Sequence, residues 1–231
     1  MSQRQLTLGL RLGDYATFDN FHGGRNAGVA QQLSALSRDQ NAPVVVLCGA
    51  ENTGKSHLLQ AVCHAVEQHS DSVMCLSMAE LTLASPGILE GLEQHSLVAI
   101  DDLDSVAGKT EWEEALFHLY NRILDCGHRL LVTLSDTPAQ VPFALEDLVS
   151  RLSHGVLLQL GLYRDEDYLT ILRARAEQRG LAMNDDVASY ILRRAPRKLG
   201  ELLAILDRLD DNSLRAQRGL TVPFVRAVMN W

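Results

Sequence analysis

Three groups of side chains in this 231-residue sequence have the types and spacing to do chemistry. The first is Gly49-Ala50-Glu51-Asn52-Thr53-Gly54-Lys55-Ser56, which satisfies G-x-x-x-x-G-K-[ST] in full. It follows the β-branched run Val44-Val45-Val46-Leu47 and opens a helical pattern near Lys55, the setting such a loop requires. Glycines let the backbone wrap around phosphates, and the following helix start offers N–H groups and a positive dipole end. Lys55 then reaches the outer phosphates and the Ser56 hydroxyl enters a Mg²⁺ shell. The expected ligand is ATP or ADP with Mg, held by Gly49, Asn52, Thr53, Gly54, Lys55 and Ser56, with His57 adjoining. The competing reading is a glycine turn between a strand and a helix.

The second group is Leu97-Val98-Ala99-Ile100-Asp101-Asp102, four apolar residues that carry two acids to the end of a strand. Parallel α/β sheets place their ligands at that edge. Asp101 is expected to serve the Mg²⁺ and Asp102 the attacking water; otherwise they are polar residues of a strand-to-helix loop. The third group lies further on. Ser135 and Asp136, in Ser135-Asp136-Thr137-Pro138, leave the next strand at the same edge, where they contact a terminal phosphate or water or simply end the strand. Arg151, in Ser150-Arg151-Leu152, closes a short helix. An arginine there neutralises charge on a transferred phosphoryl group in a neighbouring subunit, or else caps a helix or pairs at the surface.

These groups need a scaffold, and the hydrophobic pattern supplies one. Short runs at Val44–Leu47, Val73–Leu76, Leu97–Ile100, Leu130–Leu134 and Val156–Leu158 alternate with amphipathic stretches. That alternation predicts an α/β fold with a five-stranded parallel sheet. Trp112, Ala115, Leu116, Leu119 and Ile123 fall on one helix face, ended by Gly127. After Gly161 the strands stop. Helices are expected at about 165–179, 185–194, 199–210 and 222–230, with Leu199, Leu202, Leu203 and Leu206 as the clearest apolar stripe. A small all-α domain therefore follows the sheet domain.

Charge changes at the same place: residues 1–162 carry a net −10 and residues 163–231 a net +2, within an overall −8. An acidic chain is not built to grip a phosphate backbone, so direct sequence-specific DNA binding is not expected. No apolar run approaches the roughly 18–20 residues of a membrane span, and the start lacks a secretion signal, so a cytoplasmic protein without membrane contact is expected. Cys48, Cys63, Cys75 and Cys126 form no C-x-x-C pair and read as structural thiols.

The order of phosphate loop, strand-end acids, Ser-Asp strand exit, Ser-Arg-Leu and helical C-terminal third, preceded by Thr17-Phe18-Asp19-Asn20-Phe21, resembles the AAA+ ATPases of the bacterial replication initiator DnaA. The likeness covers nearly the whole chain. Initiators continue into a helix-turn-helix DNA-binding domain, whereas this sequence stops at Trp231. Together with Gln5-Leu6-Thr7-Leu8-Gly9-Leu10, Trp112–Ile123 and Leu220–Val225, that narrows the resemblance to DnaA-related regulatory inactivators.

The resemblance implies an AAA+ domain at 15–162, a helical lid at 163–231 and a flexible tail at 1–14. Phe18 and Phe21 would join His57 at the nucleotide. Gln5, Leu6, Leu8 and Leu10 would hold the DNA polymerase sliding clamp, unless the tail is an ordinary apolar N-terminus packed on its own domain. Arg151 would act in trans on ATP bound to DnaA, which prevents re-initiation, and self-association into a homodimer or larger oligomer is expected. Two other readings stay open: an autonomous ATPase that remodels a partner like a helicase loader, and a non-hydrolysing adaptor. One departure bears on catalysis, because Gly200 stands where the family's lid helix presents an arginine. Weak intrinsic hydrolysis follows from it.

Overall fold

The computed structural model describes residues 16–37, 42–81, 84–216 and 219–231. The tail residues Gln5, Leu6, Leu8 and Leu10 lie outside these. Contacts divide the described residues into two compact units: one holds those up to Phe21 and within Val29–Leu160, the other those within His22–Gly28 and Gly161–Trp231.

In the first unit the elements run α1 (Ala27–Leu36, its first two residues belonging to the other unit), β1 (Val44–Cys48), α2 (Lys55–Glu67), β2 (Val73–Ser77), α3 (Met78–Leu81), β3 (Leu97–Asp101), α4 (Thr110–Asp125), β4 (Arg129–Leu134), α5 (Glu146–Ser153) and β5 (Val156–Gln159). Short 3-10 turns at Pro86–Leu89, Leu92–Gln94 and Leu103–Val106 join them. All five strands pair in parallel, in the order β2-β3-β4-β1-β5. Since β4 inserts between β1 and β3, the chain's second half returns to the centre of the sheet. Register puts Cys48 beside Leu134 and Ile100 beside Val132, so the C-terminal ends of β1, β3 and β4 stop within one residue of one another.

The alternation of a strand assigns each apolar residue a face. Val44, Val46, Cys48, Val98, Ile100, Leu130, Val132 and Leu134 pack with Trp112, Leu116, Leu119 and Ile123 of α4 and Leu148 and Leu152 of α5. On the other face Val45, Leu47, Leu97, Ala99 and Leu131 pack with Leu33 of α1 and with Leu58, Leu59, Val62 and Val66 of α2. Strands covered on both sides read as near-continuous apolar runs, which is why they were visible in the sequence.

The second unit holds α6 (Asp165–Gln178), α7 (Asp185–Arg194), α8 (Leu199–Ala216) and α9 (Val222–Met229) around Tyr168, Leu172, Val187, Ile191, Leu202, Ile205, Leu209 and Val225. Asn184 caps α7 by accepting from the Val187 N–H at 3.0 Å, and Thr221 caps α9 through the Phe224 N–H at 3.3 Å. Helix α8 extends past the expected end near residue 210, because the buried stripe continues through Leu209 to Ser213 while Asp210, Asp211 and Asn212 hide the pattern. The strap His22–Gly28, which the sequence reading left in the sheet domain, groups here with the helices. Arg25 donates from its N–H and its Nε to the Asp167 carboxylate at 3.1 and 2.9 Å, and the Asn26 side chain exchanges two bonds with the Gly161 backbone, at 3.0 and 2.8 Å. These partners are separated by about 135–142 residues, a distance no local pattern spans. Of the four thiols, Cys48 and Cys63 are buried, Cys75 is half-buried and Cys126, after α4, is exposed. No helix among the described residues is long and apolar enough to cross a membrane.

Candidate functional site

The expected phosphate loop lies between β1 and α2, in the central part of the sheet. Its entrance is sewn to the strands on either side: the Gly49 N–H donates to the Leu134 carbonyl at 3.1 Å, and the Leu160 N–H donates to the Cys48 carbonyl at 2.7 Å. A Cβ on Gly49 would come within 2.9 Å of Thr53 Oγ1 and 3.0 Å of Leu160 Cβ, so only glycine fits there. Asn52 and Gly54 take left-handed backbone conformations, with φ of 62° and 98°, and these turn the chain back into α2. Thr53 is buried and its hydroxyl donates to the Ala50 carbonyl at 2.8 Å, closing the loop on itself. Lys55 is buried too; its Nζ donates to the carbonyls of Gly49 and Ala50 at 2.7 and 3.1 Å. The ammonium is therefore held inside the curve of the loop, and the N–H groups at the start of α2 lie beside it. A cradle of this shape, with one internal cation and a glycine no larger residue can replace, fits a di- or triphosphate. Ser56 is exposed at the first turn of α2, a position from which its hydroxyl can ligate Mg²⁺.

His57 and the two expected aromatics come together on one side of this loop. The His57 ring Nε2 lies 3.0 Å from the Thr17 carbonyl, and the Phe21 ring centroid is 5.3 Å from that of His57. Phe18 and Phe21 are half-buried against the α1–α2 face of the sheet. The N-terminal segment is thus tied to the helix that follows the phosphate loop.

Level with the loop, β3 ends in Asp101, which is buried. Its Oδ1 accepts from the Thr133 hydroxyl of β4 at 2.5 Å, and the same hydroxyl oxygen accepts from the Asp102 N–H at 2.9 Å. Thr133, fully buried, did not figure in the sequence reading. Its signal there was a lone hydroxyl in the otherwise apolar run Leu130–Leu134, and only the β3–β4 pairing gives that hydroxyl a partner. Asp102 starts the 3-10 turn in a left-handed conformation with φ of 51°. Burial first, and next the charge of Asp101, push the Asp102 carboxyl above the ordinary carboxylate range, with Lys55 pulling the other way. Charge clustering of this kind is a mark of a functional site, since it costs stability and serves no packing purpose.

At the end of β4, Ser135 and Asp136 are exposed. The Ser135 N–H donates to Asp104 Oδ1 at 3.3 Å, and Asp136 accepts from the Thr137 N–H at 2.7 Å. Asp104 thus bridges the β3 and β4 exits. The Cys48 thiol, beneath these acids, is pushed up to about 12 by burial first and then by Asp136, which leaves it unreactive. Arg151 is exposed on the last turn of α5, away from any ion pair among the described residues. Its guanidinium carbon stands 6.0 Å from the Tyr120 ring centroid, and the Tyr120 hydroxyl donates to the Arg151 carbonyl at 3.3 Å.

In the helical unit Gly200 is the second residue of α8 and exposed. Arg197 and Lys198, which the sequence reading put on other faces of this helix, precede its first residue instead. Arg197 grips Asp165 with two bonds of 2.7 and 2.9 Å, and the pairing holds the Asp165 carboxyl below its usual range.

With this geometry in view, the likeness to known proteins is informative. Residues 165–229 match the family model of the lid domain of Hda, and residues 87–159 that of the bacterial DnaA ATPase domain. Domain III of DnaA from Thermotoga maritima superposes with a TM-score of 0.79 at 20% identity, over 94% of this chain and 97% of that one. DnaA from Aquifex aeolicus, solved bound to AMPPCP, gives 0.70 at 20% identity over 90% of this chain and 71% of that one. The RuvB Holliday junction branch migration motor of T. maritima gives 0.70 at 19% identity, over 93% and 71%. The fold is that of an AAA+ ATPase, a five-stranded parallel sheet domain joined to a helical lid domain. The two family matches fit an Hda-like, DnaA-related protein.

Proposed function

We propose that this chain is a nucleotide-binding regulator of replication initiation that promotes hydrolysis of the ATP bound to DnaA. The observation that carries this reading is Arg151: an exposed arginine at the end of a helix braced by Tyr120, in a chain that pairs a DnaA-type ATPase segment with an Hda-type lid. A guanidinium in that position can enter the nucleotide site of a neighbouring AAA+ subunit and neutralise charge developing on the transferred phosphoryl group.

In the chain's own site, the loop from Gly49 to Ser56 binds the phosphates of ATP or ADP, with Lys55 as the internal cation. Mg²⁺, when bound, would neutralise charge on the phosphates. Ser56 and Asp101 would hold it, with Asp101 kept in one orientation by Thr133. Asp102 orients a water, and Ser135 and Asp136 flank the outermost phosphate. Phe18, Phe21 and His57 pack by the base. Gly200 offers no side chain to an outer phosphate, so ATP and ADP bind with similar strength and partner-free turnover is slow. The tail at 1–14 tethers the protein to the sliding clamp through Gln5, Leu6, Leu8 and Leu10, and the protein works as a dimer or larger oligomer in the cytoplasm. A second reading, an ATPase that remodels its partner by its own turnover, draws on the complete set of Lys55, Ser56, Asp101 and Asp102; brisk partner-free hydrolysis would favour it.

The test is a reconstitution with clamp and ATP-loaded DnaA, following the initiator-bound nucleotide. Arg151→Ala should abolish stimulation, a loss of about 10³-fold or more, with nucleotide affinity unchanged. Replacing Gln5 and Leu8 with alanine should remove only the clamp-dependent part. Stimulation by the Arg151 variant at the parent's rate would sink the proposal.

A further inference from the structure

Glu113 is fully buried, in the first turn of α4. Its hydrogen-bond donors are backbone N–H groups from two loops. Oε1 accepts from Gly108 at 2.6 Å and from Ala144 at 3.1 Å; Oε2 accepts from Leu145 at 2.7 Å. Gly108 closes the loop that leaves the β3 acids, and Leu145 is the residue that caps the start of α5. The carboxylate therefore sits where two helices, α4 and α5, both begin. The positive ends of both helix dipoles face a negative charge that burial would otherwise make very costly. Tyr120 lies two turns further along the same face of α4, and it holds the other end of α5 through the Arg151 carbonyl.

We propose that Glu113 is a positioning residue for Arg151: by clamping the Ala144–Leu145 entry of α5 while Tyr120 holds its exit, it sets the aim of the guanidinium. This rests on the reading of Arg151 as the group that acts in DnaA. The decisive variant is Glu113→Gln, which keeps size and shape but turns one acceptor oxygen into an NH₂ that must face an N–H. Whichever way the amide lies, at least one of the three donors loses its partner.

The first measurement needs no variant. In the intact protein the amides of Gly108, Ala144 and Leu145 should exchange with solvent far more slowly than unprotected loop amides; exchange at loop rates would overturn the proposal. In Glu113→Gln the Ala144 and Leu145 amides should exchange at least about tenfold faster, with nucleotide affinity retained. Maximal stimulation of DnaA-bound ATP hydrolysis should fall by up to about 10²-fold, the effect of misplacing a catalytic group by about an ångström. The concentration giving half the effect should change little. In an Arg151→Ala background the Glu113→Gln change should add nothing. Stimulation at the parent's rate by Glu113→Gln, or a double variant reduced by the product of the two single effects, would overturn the proposal. If Arg151→Ala itself stimulates normally, it is the reading of Arg151 that fails, and the amide exchange still reports separately whether Glu113 grips α5.

Discussion

Thr133→Val replaces a buried hydroxyl by a methyl of the same shape, and the structure says what that removes. Asp101 loses a charge-assisted bond of 2.5 Å, and the Asp102 N–H loses its acceptor at 2.9 Å. A hydrogen bond to a charged group contributes about 1.5–3 kcal/mol, and a buried donor left without a partner costs about 1–3. The added methyl returns about 0.8, so the net loss is about 2–5 kcal/mol. For a chain of this size that corresponds to a fall in Tm of about 4–20 °C. Thr133→Ser is the control: it keeps both bonds, loses one methyl and should cost about 1 kcal/mol. Urea unfolding of both variants measures the difference. Nucleotide titrations with and without Mg²⁺ measure the functional side, because an Asp101 freed to rotate weakens only the Mg²⁺-supported part. If Thr133→Val is as stable as Thr133→Ser and its Mg²⁺ dependence is unaltered, the bridge between the β3 acids and β4 has no energetic meaning.

Lys55→Ala should weaken ATP and ADP binding at least about 10²-fold, since the loop's N–H groups alone do not balance phosphate charge; calorimetry decides it, and an unchanged Kd refutes the cradle. Asp102→Asn should stabilise the unliganded protein by about 0.5 kcal/mol once solvent screening is allowed for, while abolishing any turnover of its own. Its parent carboxyl is raised, so the gain is largest at neutral pH and vanishes as pH falls below the ordinary value of 3.8, where Asp102 is neutral folded or unfolded. A melting series across pH tests that sign. Asp167 behaves oppositely: burial would raise it, but bonds from the Arg164 N–H, the Arg25 N–H and the Arg25 guanidinium outweigh burial and lower it. Its contribution to holding the strap is complete above 3.8 and is lost as pH falls through the depressed value, so the Arg25 amide should exchange faster only below that range.

Much of this protein was legible one residue at a time. The phosphate loop is a local object, a strand exit, two glycines and a helix start, and its pattern names every residue that builds it. Strands buried on both faces announce themselves as apolar runs, so β1, β3 and β4 were found, with Asp101 at the end of β3 and Asp136 just beyond β4. The four helices after Gly161 followed from periodicity, apart from the last turns of α8, where polar residues on the exposed side masked a stripe that continues to Ser213.

What the sequence could not decide were the pairings that depend on which strand lies beside which. Thr133 gains meaning only because β4 inserts between β1 and β3 and brings its hydroxyl to Asp101, 32 positions away in the chain. In the sequence Glu113 is one more charge in Glu111-Trp112-Glu113-Glu114, and composition ranks it with the solvated acids around it. Its three donors come from residues 5, 31 and 32 positions away, and a main-chain N–H carries no residue-type signature. The strap shows the same limit at longer range: Arg25 and Asp167 are 142 residues apart, and only the closed helical unit makes them neighbours. Backbone donors and long-range ion pairs are set by topology, so candidate site residues can be named from the sequence, whereas the contacts that hold them require the fold.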